Sequence, residues 1–160
     1  MIEINELEYA SPSTAQPGSL LIHAAKAPNN TAMLMIGGGG PRNALTIGNG
    51  ERAFRIINGH GGHGPFLRVI NPRFVVDPAS ALNGFDSSPD LGTLFLSPAG
   101  MGIVALADHV EVGAMFDGTL TGGIDYSAFA GFRRWRIEIG DPAKPHVLFN
   151  YRDSSLDGAS

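Results

Sequence analysis

The sequence has no cysteine, only one tryptophan, few charges and no apolar run near the ~20 residues that span a bilayer as a helix. Without cysteine there is no disulfide framework, thiolate zinc site, cysteine nucleophile or iron–sulfur cluster. Charged residues make up 16% of the chain, against roughly 25% in ordinary soluble domains. The formal net charge is −4, so no overall field draws nucleic acid or an anionic membrane. The opening segment Met1–Tyr9 is acidic and alternating, with neither the basic nor the apolar stretch of a secretory signal. A virion or cytoplasmic location is therefore expected. Helical periodicity is scarce as well, and no Gly-x-Ser-x-Gly elbow marks an activated serine.

What the chain does have is 43% hydrophobic residues, 22 glycines and 11 prolines. Its apolar stretches are four to eight residues long and end at Gly, Pro, Asn or Asp, which is the pattern of strands and tight turns. This predicts strands over 2–9, 19–24, 32–36, 44–47, 53–57, 66–70, 74–76, 93–96, 102–107, 110–116, 133–139 and 146–151. Only 77–82 and 126–130 have room for a turn or two of helix. Asn49-Gly50, Asn58-Gly59, Asn83-Gly84, Asp117-Gly118 and Gly122-Gly123 read as hairpin turns, because these residues accept positive φ cheaply. Short turns join antiparallel neighbours, since a parallel crossover needs a dozen residues or more. The expected fold is all-β, an antiparallel β-sandwich or jelly roll with little or no helix, forming one domain over 1–160.

Two segments look too polar to supply core. Ala10–Gly18 reads as a Pro/Ser connector between the first two strands, and 153–160 as a loose polar tail. In Arg134-Trp135-Arg136-Ile137-Glu138-Ile139 the alternation sends Trp135, Ile137 and Ile139 inward. Arg134, Arg136 and Glu138 then face outward.

The chemistry-bearing candidates are few. His60 and His63 stand three apart in a glycine-rich loop, and with Asp108 and His109 could ligate a metal in a jelly-roll enzyme. The loop supplies no third ligand at a recognisable spacing and its glycines leave it free, so no metal, cofactor or catalytic residue is expected. The run Gly37–Gly40 before Pro41-Arg42 lacks the following helix and lysine of a phosphate loop and reads as a wide turn. The acidic turns Asp86–Asp90 and Asp117–Asp125 do not follow the calcium-loop pattern.

Arginine is the remaining signal. Only Lys26 and Lys144 are lysines among the eleven basic residues; the others are arginines, whose planar fork suits directional contacts. Arg133, Arg134, Arg136 and Arg152 are the candidate interface residues; Arg52, Arg55, Arg68 and Arg73 could extend the same polar face. The ordinary reading of such a face is cross-strand Arg–Glu and Arg–Asp pairing in water.

The functional expectation is a non-enzymatic structural protein binding protein subunits of a larger assembly, itself included. Its small, cysteine-free, Gly/Pro-rich make-up suits a bacteriophage virion component, either a capsid cement (decoration) protein or a tail-associated β-domain. That is an analogy of class. Neither nucleic acid nor membrane is expected as a partner. A carbohydrate-binding module is the alternative; it would need an exposed aromatic platform flanked by acidic or amide side chains.

Overall fold

Segments too short and too often broken for helices pair as strands throughout the computed structural model, which describes residues 4–23, 32–37, 43–57, 65–83, 89–122 and 129–152. Strands β1 (Leu7–Ala10), β2 (Leu20–His23), β3 (Ala32–Ile36), β4 (Asn43–Ile47), β5 (Ile56–Ile57) and β6 (Phe66–Val69) form a first sheet, ordered β1-β6-β2-β3-β4-β5. Strand β7 (Arg73–Val76) flanks β14 (Arg134–Ile139) in a third, smaller sheet completed by β15 (His146–Arg152). Strands β8 (Ala81–Asn83), β9 (Leu94–Ser97), β10 (Gly100–Ala107), β11 (Val110–Met115), β12 (Leu120–Gly122) and β13 (Ala130–Phe132) make the second sheet, ordered β12-β11-β10-β9-β13-β8. All neighbouring strands are antiparallel, and the fold is all-β and sandwich-like.

Three sheets, not two, close on one core. Leu20, Leu34 and Leu45 of the first sheet meet Leu94, Ile103 and Ala114 of the second and Trp135, Ile137 and Phe149 of the third. The larger sheets also bury their second faces. Leu21, Met33, Met35, Ala44 and Phe66 pack behind the first, and Phe95, Val104 and Met115 behind the second. Apolar residues on both faces account for continuous runs such as Ala32-Met33-Leu34-Met35-Ile36, every residue of which is buried. In β14 polar and apolar residue types alternate instead, although Glu138 is buried together with Ile137 and Ile139.

Several expectations are corrected. The first strand begins at Leu7, because Ile4–Glu6 form a 3₁₀ turn. The stretch expected as strand from 53 reduces to Ile56–Ile57, since Phe54 takes φ 56°, outside any strand geometry. Of the segment given room for helix at 77–82, one 3₁₀ turn forms at Pro78–Ser80, capped by the Asp77 side chain, and β8 follows at once. Leu120–Gly122 and Ala130–Phe132 are short strands that no alternation signalled. Asn83 and Gly122 end strands, while Gly50 and Gly118 turn with φ of 111° and 89°.

The connector Ala10–Gly18 was expected to contribute nothing to the core, and it does contribute. Ala15 is 7% exposed and packs with Leu21, Met33 and Phe66 behind the first sheet. Its backbone is tied down too: Gly18 N–H donates to Met35 O at 2.7 Å. Small size makes Ala15 a fit for the shallow space over a sheet, where composition alone showed only a polar segment. The tail 153–160, the His60/His63 loop, Gly38 to Arg42, Asp86 to Ser88 and Asp125 lie outside the described residues. Among the described residues no helix is long and apolar enough to cross a membrane.

Candidate functional site

Trp135 anchors the third sheet from within. It is 2% exposed, its Nε1–H donates to Gly92 O at 2.8 Å, and Phe74, Phe149 and Tyr151 surround it with centroids 5.4–5.9 Å away. With the inner residues fixed, the opposite side chains of β14 are fixed as well, because neighbours on a strand point to opposite faces.

On that outer face the register sets Arg134 directly across from Arg152, Arg136 between Val75 and Asn150, and Glu138 across from Arg73. Among the described residues four guanidiniums share the face with two carboxylates, Asp77 and Glu138. It is therefore cationic on a molecule of net charge −4. Directly opposed like charges destabilise an antiparallel pair, so the Arg134/Arg152 position depends on its carboxylate neighbours, of which Asp77 holds Arg134.

The arginines are held from below. Asp77 Oδ2 pairs with Arg134 Nη2 at 2.9 Å, while Asp77 Oδ1 accepts Ala79 N–H at 2.9 Å at the start of the 3₁₀ turn. Ser80, itself buried, accepts Arg134 N–H at 3.0 Å and donates to Asp77 O at 2.7 Å. Arg134 Nε, shielded from water, has no acceptor among the described residues, so this guanidinium is under-satisfied where it stands. Arg136 Nε meets Glu138 Oε1 at 2.5 Å, and Arg73 Nη2 lies 3.6 Å from Glu138 Oε2. Arg73 Nη1 also donates to Gly140 O at 2.6 Å.

Glu138 was expected to face solvent. It points to the expected side but is 5% exposed, because the two arginines close over it. A register shift between Ile137 and Glu138, opposite Leu148, bends β15 at this place. A shallow groove of about 370 Å³, lined by Val75, Asp77, Arg134, Arg136 and Asn150, runs over the face.

Three of the four expected interface arginines, Arg134, Arg136 and Arg152, are thus brought together, and Arg73 joins them. Arg133 is set apart in the bend before β14, its N–H directed to Ser80 O at 3.3 Å. Arg68 belongs to another sheet, where it pairs across the strands with Glu8 at 2.6 Å. Arg52 and Arg55 lie within the 48–55 turn: Arg52 O accepts the Thr46 hydroxyl, and Arg55 Nε donates to Glu51 O at 2.9 Å. Asp77 is the residue that sequence reasoning missed; the signal available was Asp-Pro at 77–78, a 3₁₀ or helix start whose cap can also face a neighbouring strand.

The remaining candidates resolve more simply. His109 is exposed in the β10–β11 turn beside Asp108, whose φ is 53°. Among the described residues no three His, Asp or Glu side chains are placed to hold a metal ion. Gly37, the one described member of its glycine run, donates its N–H to Gly118 O at 2.5 Å. Asp117 closes its own turn, accepting Thr119 N–H at 2.9 Å and the Thr119 hydroxyl at 2.7 Å. Those bonds, the hydroxyl's first, hold its carboxyl below its ordinary pKa. Comparison with protein-family models, curated proteins and solved structures found no match to this chain.

Proposed function

We propose that this protein is a non-enzymatic assembly protein that docks the arginine face of its third sheet onto an acidic protein surface. The observation carrying this reading is the gathering of Arg73, Arg134, Arg136 and Arg152 on one sheet face, where two carboxylates stand among the described residues, on a chain of net charge −4. A carboxylate placed among these forks gains charge-assisted hydrogen bonds. Asp77 and Glu138 hold two of the arginines in position, so little side-chain entropy is lost on binding. Since the molecule is itself acidic, a second copy is an eligible partner. The finer reading is a virion component, a capsid cement protein or a tail-associated β-domain.

The test is a calorimetric titration of the chain with a hexaglutamate peptide and with a DNA strand of equal charge. Peptide binding is expected to weaken about tenfold in Arg136→Ala and to fade above about 0.5 M salt, where the screening length is a few ångströms. Undetectable peptide binding, or tighter binding of the DNA, would overturn the reading. For the virion assignment, immunogold labelling should find the chain on particles in lysates of its source; label confined to particle-free fractions would refute it.

A further inference from the structure

A second groove, of about 700 Å³, opens between the 48–55 turn, the segment at Asp90 and Leu91, and the end of β15. We infer that it binds a neutral oligosaccharide. This goes beyond the docking role of the arginine face and shares only Arg152 with it.

Both walls are built to keep their shape. The Thr46 hydroxyl spans the turn, donating to Arg52 O at 2.5 Å and lying 3.2 Å from Arg55 O, while Phe54 N–H donates to Thr46 O at 2.8 Å. Phe54 is a bulky residue at φ 56°, a conformation that persists only where the surroundings over-determine it and that collects at functional sites. On the other wall Gly92 takes φ 91°, and a methyl group there would lie 2.5 Å from Phe54 Cε2 and 2.6 Å from Tyr151 Cε2. Glycine alone lets this wall close on the two rings.

The lining has the chemistry of a sugar site. Tyr151 is half-buried; its hydroxyl is fixed to Leu91 O at 2.9 Å and its ring is packed by Phe54 at 5.3 Å and Trp135 at 5.5 Å, so the part of it that lines the groove is a fixed apolar contact for the C–H groups of a pyranose. Around it stand the exposed side chains of Asn49, Glu51, Arg55, Asp90 and Arg152. These planar donors and acceptors match vicinal hydroxyls. Two carboxylates balance two guanidiniums, so a charged ligand gains no net attraction and a neutral polyol is favoured.

Trp135, the single tryptophan, touches Tyr151 and is bonded to Gly92, so its emission reports on the groove. The intact chain is titrated, by fluorescence and calorimetry, with short linear oligomers of glucose, N-acetylglucosamine and mannose. Saturable binding of at least one is expected, weakened about tenfold or more in Asn49→Ala/Glu51→Ala with melting unchanged. Should that pair lower the melting temperature, Asp90→Asn is the second variant, with the same loss expected. Tyr9→Ala removes a ring 78% exposed on β1, at the opposite edge of the first sheet from β5, and should bind sugar as the wild type does. The inference is overturned if none of the sugars binds, if a folded groove variant binds like the wild type, or if Tyr9→Ala abolishes binding. Hexaglutamate binding is scored in the same variants, so failure here leaves the arginine face separately testable.

Discussion

At the residue scale, Phe54 sets two energies against each other. A left-handed backbone costs an L-residue about 1–2 kcal/mol, whereas a buried phenylalanine truncated to alanine loses about 3–5 kcal/mol. Packing wins, which explains why the ring stays among Trp135, Phe149 and Tyr151 despite φ 56°. It follows that Phe54→Gly, which relieves the backbone, should be about 1 kcal/mol more stable than Phe54→Ala, although both lie below wild type. Urea denaturation of the two variants checks this, and the reverse order would deny the left-handed conformation. Asp117 gives a second residue-scale expectation. Its carboxyl pKa is lowered in the folded protein, so its bonds stabilise the fold at pH values above the unfolded carboxyl's pKa. That contribution is lost as the pH falls through the lowered value. Thr119→Val removes the hydroxyl donor and keeps the backbone one, so an NMR titration should show the Asp117 pKa rising toward the ordinary carboxyl value.

At the scale of elements, the connector Ala10–Gly18 turns from a tether into a lid on the first sheet's outer core. Ala15→Asp should therefore destabilise by about 1–3 kcal/mol, as an uncompensated polar group brought against Met33 and Phe66. The Gly18 amide, bonded to Met35 O, should exchange slowly; wild-type melting of Ala15→Asp with fast Gly18 exchange would contradict the packing. The same element marks how far the sequence could be read. Alternation located β14 and its inward Trp135, Ile137 and Ile139, because a sheet with one wet face writes itself as period two. It could not show β8, β12 or β13, three residues each, too short to carry a period. Of the arginine face, the chain order displayed Arg134 and Arg136 together, but Arg73 and Arg152 arrive through pairing of β7 and β15 with β14, and local pattern holds no register between distant strands. Glu138 was placed on the right side and its burial missed for the same reason: the guanidinium of Arg73 comes from 65 residues earlier.

For the whole molecule, the two proposed surfaces meet at Arg152, the last residue of β15, and otherwise draw on different elements. The arginine face belongs to β7, β14 and β15, while the groove beside Tyr151 is assembled where turns of the first and second sheets meet the end of β15. Arg55 bridges to Leu106 and Phe54 O accepts Leu106 N–H at 2.9 Å, so the strained turn is also a seam between the larger sheets. A ligand pressing on that turn acts on the joint that holds the sandwich closed.

The pairing of β7 with β14 and of β8 with β13 has a consequence for how the protein is made. A ribosome delivers Arg73–Val76 and Ala81–Asn83 long before their partners at 130–139 exist. Until then the apolar inner faces of β2, β3 and β4 have neither the second sheet nor Trp135 to cover them. Such non-local topologies close slowly, and their open strand edges recruit other chains meanwhile. Synthesis of this protein thus includes an interval in which a half-made sandwich exposes those faces, so added chaperone is expected to raise its soluble yield.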